Sequence, residues 1–88
     1  MRNSDAYRCR VCGVLLEDPP WGLDGRTPLY ENCPCCGVEF GYQDATPQGA
    51  RKFRDAWVSA GAQWDDPKKK PSEWDVGEQL AHVPEEFR

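Results

Sequence analysis

Five cysteines carry most of the chemistry available to this chain of 88 residues. Four of them form two pairs, Cys9 with Cys12 and Cys33 with Cys36, in the pattern C-x2-C-x20-C-x2-C, and Gly13 and Gly37 directly follow the pairs. A two-residue spacer lets both sulfurs of a turn converge on one ion, while the glycine after it can take positive φ and aim backbone amides at the thiolates. Two such turns brought together complete a tetrahedron. Cys9, Cys12, Cys33 and Cys36 are therefore the candidate metal ligands, with Zn2+ as the expected ion. Four thiolates leave no coordination position for a water molecule, so the expected role is structural and not hydrolytic. Structural zinc contributes on the order of 10 kcal/mol in small peptides, comparable with the whole stability of a domain.

Cys35 sits inside the second turn, Cys33-Pro34-Cys35-Cys36, and could in principle replace Cys36. The Cys-Pro-x-Cys-Gly frame matches the Cys-x-x-Cys-Gly of the first turn and favours Cys36. Cys35 then reads as a small, partly buried side chain at a turn tip. A dithiol redox role for Cys33 and Cys36 is disfavoured, because such pairs sit at a strand-to-helix junction of a βαβ sheet and the chain shows no such order. No serine, histidine and carboxylate set, phosphate-cradling glycine loop or spaced carboxylate pair stands out, so no enzymatic activity is expected. His82, the single histidine, reads as a helix-end polar residue. Lys68, Lys69 and Lys70 read as solvated connector whose field Asp65 and Asp66 nearly cancel.

The elements that must position the cysteines are short. Tyr7 to Leu16 reads as a hairpin closed by the first cysteine turn, and Leu29 to Tyr42 repeats the plan with Val38, Phe40 and Tyr42 on alternate positions. Residues 17–28, rich in proline, glycine and aspartate, form a loop between them. From Thr46 the period changes. Thr46 is placed to cap a helix, Pro47 suits its first turn, Ala50, Phe53, Trp57 and Ala60 recur at three and four residues, and Gly61 suits its end. Phe53 and Trp57 would face the apolar side of the ribbon. A second, weaker helix is expected from a cap at Ser72, with Asp75 three positions on, through about Leu80, and Pro84 ends it. The expected fold is a single small α+β domain over 1–88: a pair of β-hairpins over 7–42, a helix over 46–61 and a C-terminal helical segment over 72–87. Trp21, Trp64 and Trp74 read as cover for a small core, as tryptophans commonly do in domains of this size.

The net charge is −4, and both halves are acidic: residues 1–42 hold four basic and six acidic side chains, residues 43–88 seven and nine. That balance lacks the cationic footprint that draws proteins to phosphates, and four metal-bound thiolates would make it more negative, which argues against nucleic acid as a partner. The opening residues from Met1 to Tyr7 contain no apolar run of the kind an export signal needs, and no stretch is long enough to span a membrane. The expected compartment is a reducing cytoplasm, where paired CxxC motifs bind metal more often than they form disulfides.

The two CxxCG turns resemble those of zinc ribbons and rubredoxin-like domains, as do Tyr7 ahead of the first pair and the run Cys33-Pro34-x-Cys36-Gly37-Val38. The resemblance implies either structural zinc or, in the rubredoxin case, iron that transfers single electrons. The x20 spacer and the helical region from residue 46 depart from free-standing rubredoxins. Over residues 7–87 the chain also resembles small bacterial cysteine-rich proteins of the CPCC type, on Cys33 to Cys36, the adjacent Glu39-Phe40-Gly41-Tyr42 and the series Trp57, Trp64, Trp74. That likeness implies a bacterial zinc-ribbon protein and brings no activity with it. The leading functional expectation is a zinc-bound module that docks a protein partner; the alternative is rubredoxin-like electron transfer by iron.

Overall fold

The computed structural model describes residues 4–88, so the first three residues of the opening stretch read for an export signal lie outside it. A short 3-10 turn over Ser4–Tyr7 leads into the first cysteine turn. The expectation of paired β-hairpins fails here. No strand or sheet forms among the described residues, and each expected hairpin is reduced to a single antiparallel bridge, Arg8 to Leu15 in the first and Asn32 to Glu39 in the second. The arms are too short for more. Pro19 and Pro20 follow the first bridge closely, Tyr30 adopts a left-handed φ of 57° just before the second, and Gly41 at φ 102° turns the chain away just after it. A ladder needs several consecutive residues in extended conformation on both arms, and these breaks leave too few around each bridge. Among the described residues the fold is therefore irregular chain with two α-helices and short 3-10 turns, not an α+β ribbon.

Helix α1 spans Pro47–Ser59. The Thr46 hydroxyl accepts from the Gly49 amide at 3.0 Å, and proline at the first position gives up an amide that would have no helical partner. Ala50 and Trp57 are its buried residues; Phe53 is only partly buried against the core, and Ala60 lies exposed. Helix α2 is a single turn and a half, Val76–Leu80, and its N-cap is Asp75, which accepts from the amides of Gly77 and Glu78. The expected cap at Ser72 thus falls three residues early: a carboxylate within reach of two free amides outcompetes the serine. A last 3-10 turn, Glu85–Phe87, brings Phe87 into the core beside α1.

The core gathers the cysteines with Val11, Val38, Phe40, Trp57, Trp64, Val83 and Phe87. Trp74 packs edge-on to Trp64 with ring centres 5.6 Å apart and tilted against Trp57 at 6.3 Å. Arg10 is sandwiched between the rings of Trp21 and Phe87, at 4.0 and 4.3 Å. Fully buried Asp44 accepts from the Trp21 indole at 2.9 Å and the Gly41 amide at 2.8 Å, joining the loop to the second turn. Each of the four tryptophans thus has a packing or hydrogen-bonding role within the domain.

Candidate metal centre

The two cysteine turns are built alike, residue for residue. In the first, the Cys9 amide donates to the Val14 carbonyl and the Leu16 amide to that of Tyr7; in the second, Cys33 donates to Val38 and Phe40 to Glu31. Gly13 and Gly37 both sit at φ 83° and donate to the carbonyls of Cys9 and Cys33, each at 3.0 Å. The carbonyl of each glycine is in turn held by the side chain of the bridge residue, Arg8 in one turn and Asn32 in the other, both at 3.1 Å. The glycines are required because the reversal from turn tip to returning arm passes through the left-handed region.

This repeat brings Cys9, Cys12, Cys33 and Cys36 together, with all four sulfurs within 4.8 Å of one another and all four residues buried. Cys9 and Cys36 sulfurs lie 3.8 Å apart and Cys12 and Cys33 sulfurs 3.7 Å apart, and all five cysteines are free thiols. A tetrahedral cage with metal–sulfur bonds of about 2.3 Å has edges of about 3.8 Å. The sulfurs fit such an ion. The Val11 amide donates to the Cys9 sulfur and the Cys35 amide to the Cys33 sulfur, both at 3.4 Å, so the first sulfur of each turn accepts a backbone hydrogen bond.

Burial and mutual hydrogen bonding set how the cluster ionises. Burial pushes the thiols of Cys12 and Cys36 up, while hydrogen bonds from Cys12, Cys36 and Cys9 hold the Cys33 sulfur far down. Adjacent sulfurs in a dry site cannot all ionise unless a positive charge compensates them. Sequence reasoning missed one contributor to that compensation. Arg54 on α1 donates from Nε to the Val11 carbonyl and from Nη2 to the carbonyls of Arg10 and Phe87. Burial lowers its pKa, whereas the charges of Asp55 and of the Cys9 and Cys12 sulfurs raise it. Its place on a helix after the cysteines carried no signal, because a single arginine on a solvated helix face has no distinguishing pattern.

Later segments wrap both turn tips. In the second turn the Asp65 and Asp66 amides donate to the carbonyls of Cys35 and Pro34, at 2.9 and 2.8 Å, the counterparts of the two carbonyls that Arg54 holds in the first. Gln79 on α2, also missed from sequence, donates to the Cys12 carbonyl at 3.1 Å and the Cys35 sulfur at 3.3 Å, and accepts from the Trp74 indole at 2.8 Å. Cys35 occupies the position that Val11 has in the first turn, and both are fully buried. The structure places it beside the four-sulfur cluster and outside the candidate ligand set, with its sulfur turned to Gln79.

No family model, curated protein or solved structure matches this chain. The chemistry therefore rests on the site alone: four buried cysteines placed as a metal-binding set. No described helix is long and apolar enough to cross a membrane.

Proposed function

We propose that the protein is a small interaction module whose fold is held by one structural zinc on Cys9, Cys12, Cys33 and Cys36, acting in a reducing cytoplasm. The observation that supports it best is the enclosure of four thiol sulfurs at tetrahedral spacing beneath segments that hydrogen-bond both turn tips. Zinc has no geometric preference beyond its ligands and is at home among four thiolates. With the shell filled by protein, such an ion has no position for a substrate or a hydrolytic water, and this favours docking of a protein over catalysis. The likeness to small bacterial CPCC-type proteins belongs to the same proposal.

Metal analysis of protein purified anaerobically from its native host tests the metal, and gentle size-exclusion of the same lysate tests the docking role. One zinc per chain in colourless protein is the expected result, with the chain migrating in a larger complex. Red, reversibly reducible protein carrying iron would replace the reading by electron transfer. A strictly monomeric, partner-free protein would refute the interaction role.

A further inference from the structure

The outer side of the two cysteine turns carries an open hollow of about 840 Å³. Leu15 and Leu29, 59% and 38% exposed, contribute apolar surface to it together with Phe40 and Trp64. Ligands and partner segments seat preferentially in concavities with apolar side chains in their lining. A second hollow, of about 420 Å³ and lined by Trp21 and Leu23, is smaller and has the stacked Arg10 guanidinium in its wall.

The rim decides what kind of partner fits. Glu17, Asp18, Glu31, Asp65 and Asp66 line the hollow against the single cation Lys69. The Asp65 and Asp66 charges are offset by the adjacent lysines, so the rim is negative on the side of Glu17, Asp18 and Glu31, and an apolar floor beside such a rim selects a cationic, apolar segment and repels anionic surfaces. A second copy of this chain would bring the same carboxylates and a net charge of −4 to the contact, so charge opposes self-association through this face.

We propose that this hollow is the docking groove of the protein, and that its occupant is a segment of a partner protein in which leucine-like side chains are interleaved with lysine or arginine. The proposal rests on the interaction-module reading and adds to it the face and the chemistry of the partner. Apolar side chains cover Leu15, Leu29 and Phe40, and the flanking cations meet Glu17, Asp18 and Glu31.

The test uses the metal-loaded chain, isotope-labelled for NMR, and three short synthetic peptides: alternating lysine and leucine, alternating lysine and serine, and alternating glutamate and leucine. Trp64 supplies an internal reporter, because its indole N–H is buried with no hydrogen-bond partner among the described residues. The lysine–leucine peptide is expected to shift Leu15, Leu29, Phe40 and the Trp64 indole, and to bind at least about tenfold more tightly than either control, more weakly as salt is raised. The paired change Leu15→Ser with Leu29→Ser should weaken it at least about tenfold. Leu23→Ser, at a position 70% exposed in the other hollow, should leave it unchanged. Metal content and circular dichroism establish that each variant is folded. Equal binding of the lysine–serine peptide, no binding of the lysine–leucine peptide, or shifts confined to the Leu23 side would each overturn the groove. A native-host complex that persists at full strength in the Leu15→Ser, Leu29→Ser variant would also overturn it while leaving the interaction role standing, whereas absence of any complex counts against that role itself.

Discussion

Two glycines in equivalent positions give an internally controlled test of how the domain is closed. Gly13 and Gly37 share a φ of 83°, so replacing either with alanine costs about 1–2 kcal/mol for placing a side chain in the left-handed region. Their surroundings differ. A Cβ at Gly37 would meet the Asp65 carboxylate at 3.3 Å, the end of a side chain on an exposed residue that can rotate aside. A Cβ at Gly13 would lie 2.5 Å from the Gln79 carbonyl oxygen and 3.0 Å from the Val83 nitrogen, both backbone. Relief requires the end of α2 to lift, which pulls the Gln79 amide from the Cys12 carbonyl and Cys35 sulfur. Overpacking of this kind adds about 1–3 kcal/mol. Gly13→Ala should therefore cost about 2–5 kcal/mol in all, and Gly37→Ala about 1–2. Urea unfolding of the metal-loaded proteins reads the difference directly as a midpoint shift, with a slope of about 1 kcal/mol/M for a chain this small. Gly13→Ala should in addition perturb tryptophan fluorescence in the native state, since the Trp74 indole bonds to Gln79. Equal midpoint shifts for the two variants would refute the packing of the C-terminal segment on the first turn.

Cys36→Ser should abolish metal binding and unfold the domain, whereas Cys35→Ser should retain one metal per chain and lose no more than about 1–2 kcal/mol, because a hydroxyl can still accept from Gln79. Metal stoichiometry and circular dichroism check the pair, and a damaging Cys35→Ser would move Cys35 into the ligand set. Metal affinity should fall with acidification. Burial raises the thiols of Cys12 and Cys36, and because the metal-free chain is unfolded each of the four ligand thiols must lose its proton on binding, so affinity falls by up to about 10,000-fold per pH unit below neutrality. Competition against a chromophoric chelator between about pH 6 and 8 measures the slope, and a flat profile would contradict it. Arg54→Lys should cost about 2–4 kcal/mol in the same urea assay, because an ammonium cannot span three carbonyls held by a planar fork. Near-native stability of that variant would remove Arg54 from the support of the first turn.

The legible part of the molecule was local. The CxxCG spacing pointed to the four cysteines that the chain brings together, and threonine, proline and a 3.6-residue period pointed to α1, whose cap is Thr46. The alternation of Val38, Phe40 and Tyr42 misled. It has the period of a strand, but Gly41 turns the chain, so Val38 and Phe40 are buried while Tyr42 stands exposed and no ladder grows. Periodicity reports which side chains face inward; it does not report whether enough consecutive residues stay extended to pair. Arg54 and Gln79 were invisible for a different reason. Their work is with backbone carbonyls 33 or more residues away in sequence, and carbonyls leave no trace in side-chain patterns.

Those two residues explain why the site and the rest of the fold should behave as one unit. The carbonyls of Arg10, Val11 and Cys12 in one turn, and of Pro34 and Cys35 in the other, project from tips that have no regular partner strand. Buried and unpaired, each would cost about 1–3 kcal/mol, enough together to exceed the net stability of a small domain. Arg54 supplies donors from α1, Gln79 from α2, and Asp65 and Asp66 from the connector between them. The turns therefore reach their lowest free energy only when all three later segments are docked. Those segments in turn have little to dock on unless the four sulfurs are drawn together. A metal that gathers the sulfurs consequently stabilises α1, the connector and α2 as well as the two turns, and its removal should dissolve the whole domain in a single transition.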